Sequence, residues 1–299
     1  MEQLKKRWFV GFVYVSLIFL LVGLYREDYL VIPHIYSAKY LALSIASLCA
    51  GFIFNGLGWK KILDGTGYPI SFANSISSSG LAVFGKYIPG KLWAMVGQGG
   101  YVVREYDYPK ANIATIIVTA QVIALWIGLI LSAIGLVFLG SFSTTLSWAI
   151  GIALLVFSGT IFTNLPAKAA AKLLKAMSKG EAVDVALDFK TVIGTALMYL
   201  ITWCLWCMGF YFLVVSLSDG FDVEVTIGLS YALALLVGFL ALIIPGGLGV
   251  REGVIVASLT YVGFDLQLAT TISIASRLWY LCGEIFIFLL ALIMDKRKA

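Results

Sequence analysis

The chain has 299 residues, of which 61% are hydrophobic and only 12% charged, with a formal net charge of +5. A soluble domain carries about 25% charged residues to cover its surface, so this composition excludes a water-soluble enzyme or nucleic-acid-binding module and makes lipid the solvent for much of the exterior. One histidine, His34, and four cysteines inside apolar runs, Cys49, Cys204, Cys207 and Cys282, offer only a lone C-x-x-C whose plain reading is helix packing, so no metal and no cofactor is expected.

In chain order, Lys5, Lys6 and Arg7 precede an apolar run from Trp8 to Leu24. The pattern resembles a secretory signal, but Tyr25-Arg26-Glu27-Asp28 follows where a small-residue cleavage site belongs, so a retained first span over 8–25 is expected. A helix needs about 20 apolar residues to cross the hydrocarbon core. Five further runs meet that length: 40–58, 111–139, 145–163, 191–216 and 268–293. Two apolar regions do not. Residues 70–103 divide into Ile70–Phe84 and Leu92–Val103 around Lys86, Pro89, Gly90 and Lys91. Residues 225–262 divide into Val225–Ile244 and Arg251–Val262 around Pro245, Gly246 and Gly247. A Pro-Gly break between arms too short to span predicts a re-entrant hairpin or discontinuous helix in each.

Basic residues set the orientation. With the N-terminus in the cytoplasm and each hairpin returning to the side it entered, nearly every loop Lys and Arg falls inside, leaving only Arg26 and Lys39 in outer loops. The expectation is an all-α polytopic protein of the plasma (inner) membrane, multi-pass, with six spans, two re-entrant hairpins and both termini cytoplasmic. Between 166 and 190, Lys168, Lys172, Lys175 and Lys179 alternate with Ala, Leu and Met, as in an amphipathic connector drawn to anionic head groups or a solvated linker.

Both breaks carry one short string, Ile88-Pro89-Gly90-x-Leu92 and Ile244-Pro245-Gly246-x-Leu248, 156 residues apart. The same shift carries run 40–58 onto 196–214 and run 111–139 onto 267–295, both on predicted spans. Two repeats are therefore expected, 1–143 and 144–299, each built of a span, a span, a hairpin and a span. The first hairpin enters from the cytoplasm and the second from outside, which makes the repeat an inverted one. Such repeats with broken helices serve alternating access, with substrate held near the midplane between them.

Charges inside a membrane are costly and mark function. Lys86 and Lys91 flank the first break, Arg251 and Glu252 follow the second, and Arg277 and Glu284 lie on the last span with Gln121 at the position matching Arg277. Together with helix-start amides, these form two positive pockets suited to an anionic head group; the plainer alternative makes Arg251–Glu252 and Arg277–Glu284 structural ion pairs. The candidate substrate-binding residues are Lys86, Pro89, Gly90, Lys91, Gln121, Pro245, Gly246, Gly247, Arg251, Glu252, Arg277 and Glu284, with no catalytic residue. The remaining spans are mostly Leu, Ile, Val, Ala and Phe, with scattered Ser, Thr and Asn55, a route for an amphiphile whose tails stay in lipid.

The segments Lys86-Tyr87-Ile88-Pro89-Gly90-Lys91-Leu92-Trp93 and Pro245-Gly246-Gly247-Leu248-Gly249-Val250-Arg251-Glu252-Gly253 resemble motifs of the lysylphosphatidylglycerol synthase/flippase transmembrane-domain family. The resemblance implies a flippase domain moving lipids between leaflets, with Arg251, Glu252 and the hairpin lysines at the substrate path. Members that transfer aminoacyl groups add a soluble domain; with the sequence ending at Ala299, a transporter and not an enzyme is expected. Many relatives carry an acidic residue where this chain has Gln121. The expected function is a lipid flippase for an anionic phospholipid or polyprenyl-phosphate-linked lipid. The alternative is a membrane enzyme or accessory subunit of polyprenyl-lipid glycosylation. Expected partners are the lipid itself, a second copy of the chain in a homodimer, and a glycosyltransferase or lipid synthase.

Overall fold

The computed structural model describes residues 34–88, 92–139, 144–163, 185, 187–219, 223–241 and 249–296. The first span (8–25), Pro89, Gly90, Lys91, Pro245, Gly246, Gly247 and almost all of the 166–190 connector lie outside them. The described residues form nine α-helices, two short 3-10 helices and no strand. Four helices are long and apolar enough to cross a membrane: α1 (Ala38–Gly65), α4 (Lys110–Leu139), α6 (Phe189–Leu217) and α9 (Leu266–Lys296). At 1.5 Å per residue, each exceeds the roughly 30 Å hydrocarbon core. They coincide with four of the expected runs. A fifth run, 145–163, forms α5 (Thr144–Phe162). Helix α6 starts at Phe189, so the last two residues of the expected connector belong to the span.

The arms of the two interrupted regions are short helices. The first region gives α2 (Phe72–Ala82), a 3-10 turn over Val83–Tyr87, and α3 (Trp93–Tyr106). The second gives a 3-10 turn over Val225–Ile227, α7 (Gly228–Leu240) and α8 (Val250–Tyr261). The longest of these α-helices has 14 residues, about 21 Å, too short to span. Gly249, at φ +79°, turns the chain into α8, a conformation that side-chain-bearing residues rarely adopt.

Helices α1 and α6 form the central pair and run antiparallel over their full length. Tyr36 N–H donates to the Ser216 carbonyl at 2.9 Å, and Ser44 Oγ to the Gly209 carbonyl at 2.6 Å. Further along, Gly51 faces Trp206, Gly58 faces Tyr199 and Gly65 faces Thr191; a Cβ on any of the three would meet the facing side chain at 2.7 Å or less. Small residues let two apolar helices approach closely, and dispersion between the backbones then holds them in a medium where apolar burial gains nothing.

Helix α2 enters this frame by the same means. Its Ser75, Ser77 and Ser78 are fully buried: Ser75 Oγ donates to the Gly56 carbonyl, and Ser78 Oγ accepts from Trp59 Nε1 at 3.2 Å. Gly80 lies against the backbone of α9, where a Cβ would meet the Ile287 carbonyl oxygen at 2.4 Å. At one end of the bundle, Tyr101 Oη donates to Asp295 Oδ1 at 2.6 Å and Asn74 Nδ2 donates to Tyr106 Oη at 2.6 Å.

Advancing the numbering by 156, the separation of Ile88 from Ile244, carries α2 onto 228–238, α3 onto 249–262 and α4 onto 266–295, where α7, α8 and α9 stand. Packing follows the same exchange. Helix α2 packs on α9 as α7 packs on α4; α1 packs on α9 as α6 packs on α4; α3 joins α2 and α4 as α8 joins α7 and α9.

Candidate functional site

A cavity of about 290 Å³ opens where these helices meet. Its lining repeats in pairs 156 residues apart: Ser79 with Leu235, Ala82 with Gly238, Val83 with Phe239, Met95 with Arg251, Gln121 with Arg277, and Ala124 with Tyr280. The cavity is thus bordered by positions of both halves that share the 156-residue offset.

Three cations reach this space, Lys86 from the 3-10 turn after α2, Arg251 from the first turn of α8, and Arg277 from α9. Arg251 is 3% exposed. Its guanidinium lies against the rings of Tyr231 and Tyr280, 4.7 and 4.8 Å from their centroids. It donates to Tyr231 Oη and, at 3.5 Å, to the Ser276 carbonyl, while its Nε is buried without a partner. Among the described residues no carboxylate pairs with it. Ring faces attract a cation through their quadrupole, so the tyrosines hold Arg251 in place without cancelling its charge.

The carboxylates belong to the other two cations. Glu284, fully buried, pairs with Lys86 and accepts from Tyr87 Oη at 2.8 Å. Glu252 lies 3.7 Å from Arg277, and its backbone carbonyl accepts from Ser273 Oγ at 3.1 Å. The alternative pairing of Arg251 with Glu252 and Arg277 with Glu284 is corrected. Adjacent residues on one helix do not face each other, and seven residues along a helix separate Arg277 and Glu284 by about 10 Å. The real pairs join different elements, tying the 3-10 turn after α2 to α9 and α8 to α9. Among the described residues, three cations against two carboxylates leave the cluster one positive charge in excess.

Of the residues expected to bind substrate, Lys86, Gln121, Arg251 and Arg277 line the cavity, and Glu252 and Glu284 stand behind it as counter-ions. The three residues of each Pro-Gly break fall outside the described residues. Sequence reasoning missed Tyr87, Tyr231 and Tyr280, whose rings surround the cations; Lys86 Nζ is itself 4.6 Å from the Tyr280 centroid. A signal existed for one of them, since Tyr280 follows Arg277 by three residues and shares its helix face. Polar side chains are also more concentrated than expected: Asn55, Ser79, Gln98 and Gln121 all line this one space. Among the described residues no cluster of His, Cys, Asp or Glu has the composition to hold a metal.

No curated protein matches the chain. A family model described as the lysylphosphatidylglycerol synthase TM region matches residues 8–290. With the two break motifs, the four long apolar helices and a match over nearly the whole sequence, the chain belongs to the lysylphosphatidylglycerol synthase transmembrane-region family.

Proposed function

We propose that the protein is a lipid flippase that moves an anionic, phosphate-bearing lipid between leaflets of the plasma membrane and performs no chemistry on it. The observation that carries the reading is Arg251, a buried cation at the cavity wall, cradled by aromatic rings and matched by no carboxylate among the described residues. An uncompensated buried charge costs several kcal/mol, and a transporter recovers that cost when the anion arrives. Family membership supports a lipid-related role in the membrane.

In this reading, residues 1–143 and 144–299 are inverted repeats of six spans and two re-entrant hairpins in all, with both termini cytoplasmic. The antiparallel course of α1 and α6 and the exchange of packing partners support it. The head group enters from one leaflet and contacts Arg251 and Arg277, with Lys86 and Gln121 alongside. Rocking one repeat against the other then opens the opposite face, and the acyl chains stay in lipid.

The test uses purified protein in proteoliposomes containing a phospholipid labelled on its acyl chain, so that the head group stays native. A membrane-impermeant quencher added outside bleaches half the label when no transfer occurs. Bleaching well beyond half, at a rate scaling with protein, is expected for an anionic lipid. Bleaching no different from protein-free vesicles overturns the proposal.

A further inference from the structure

The two halves hold their second short helices differently. On α3, Gly97 and Tyr101 stand four residues apart on one face and are buried, Tyr101 completely. Their counterparts at the 156-residue offset on α8, Gly253 and Ala257, are exposed. The same face is therefore packed shut in the first half and bare in the second.

Polar chemistry separates the halves further. Gln98 on α3 and Ser79 on α2 border the cavity and share a hydrogen bond of 3.0 Å. One turn beyond Gln98, Tyr101 packs with Leu81 of α2 and Ala291 of α9. Its hydroxyl donates to Asp295 Oδ1 at 2.6 Å, near the end of α9, and lies 3.4 Å from Asn74 Oδ1 on α2. The Asn74 amide donates to Tyr106 Oη at 2.6 Å, further along α3. One network thus ties α2, α3 and α9 together below the cavity. In the second half, the sequence positions matching Tyr101, Asp295 and Tyr106 are Ala257, Leu139 and Val262, residue types without a hydrogen-bonding side chain. Ser230, matching Asn74, donates to the nearby Ile227 carbonyl at 2.7 Å. The Tyr101–Asp295 bond therefore has no counterpart at the other end.

Rocking between inverted repeats exchanges which face is open. If α3 took the packing that α8 now has, the Gly97–Tyr101 face would be bared and Tyr101 drawn away from Asp295.

We infer that the Tyr101–Asp295 hydrogen bond, braced by Asn74 and Tyr106, is a latch that closes the cavity at the end where α9 terminates and breaks each time that end opens. With no equivalent at the other end, it biases the resting protein toward the state closed here. This rests on the transport reading, and the experiment separates the two. Spin labels are placed on α3 and α9 beyond the latch by Glu105→Cys and Lys296→Cys, both positions being exposed, with the four native cysteines replaced by Ala. Pulsed electron paramagnetic resonance in detergent then reads the separation of the two helices without any transport. With the latch intact, one short distance should dominate. Tyr101→Phe keeps the buried ring and removes only the hydroxyl; it should raise the ratio of long to short distances about ten- to one-hundred-fold, the weight of one hydrogen bond to a charged acceptor. Asp295→Ala should do the same, and the two together should add nothing, since each removes the same bond. An unchanged distribution in either variant, or effects that add, overturns the latch. A second arm leaves the network intact. Joining the two introduced cysteines with a short, reducible bifunctional thiol reagent in proteoliposomes should stop lipid transfer, and reduction should restore it. Transfer at the full rate while cross-linked overturns the latch; no transfer before cross-linking overturns the transport reading and leaves the distance measurement to decide the latch.

Discussion

Replacing Arg251 by Met separates a binding role from a structural one. Met keeps a long, flexible side chain of comparable volume and removes the charge. A hydrogen bond to a charged group contributes about 1.5–3 kcal/mol net, and about 1.4 kcal/mol is a tenfold change in rate. Transfer of a phosphate-bearing lipid should therefore fall about ten- to one-hundred-fold. Stability responds differently. The fold loses the bond to Tyr231 Oη and the contacts with two rings, at about 1–3 kcal/mol for the stranded hydroxyl and about 1 kcal/mol per ring. It is relieved of holding a guanidinium at 3% exposure without a counter-ion, a penalty of several kcal/mol. These terms offset, so the thermal midpoint in detergent should stay within about 4 °C of the wild type or exceed it. The paired assays are lipid transfer in vesicles and thermal unfolding in detergent. A variant that transfers at the wild-type rate, or one whose midpoint falls by more than about 10 °C together with its transfer, refutes the reasoning.

Glu284→Leu strands Lys86 and should destabilise the protein by about 3 kcal/mol, while Lys86→Met/Glu284→Leu recovers most of the loss, because removing both charges abolishes the desolvation that one alone leaves uncompensated; a double-mutant cycle in thermal unfolding measures the coupling. Gly80→Ala should lower stability by about 1–3 kcal/mol, since its Cβ would meet a backbone carbonyl that cannot swing away, whereas Gly100→Ala, with nothing within 4 Å, should be neutral or stabilising as helix propensity favours Ala. Asp188 caps α6, and the hydroxyl and backbone N–H of Thr191 hold its carboxyl below the ordinary range. Its stabilising effect is present above the unfolded carboxylate value and fades as pH falls through the lowered one, so Asp188→Ala should flatten the loss of stability on acidification below about pH 4.

The short helices of both interrupted regions were legible because Pro and Gly interrupt apolar runs and because one repeated string gives the offset between the halves. The charges were legible as candidates because a membrane interior makes each one conspicuous. Their pairing was not, since it depends on which helices touch, and Lys86 meets Glu284 across 198 positions of sequence. The amides were overlooked for a related reason. Asn55, Gln98 and Gln121 each sit alone in an apolar run and read as scattered polarity until packing gathers them. One signal went unused: Gly51, Gly58 and Gly65 recur every seven residues on the face that meets α6, the spacing of a close helix seam.

The exchange of partners between the halves also constrains how the chain is made. Helix α2 finds its covering surface on α9, and Ser77 Oγ donates to the Ala291 carbonyl from 214 residues away. During synthesis the first interrupted region is inserted long before that surface exists. Its serines and Gly80 must wait in the bilayer, bonded within their own helix or to water, until the last span emerges. A ribosome stalled before Leu266 should therefore hold a protease-sensitive nascent chain, and the first half expressed alone should not acquire the fold it has in the whole.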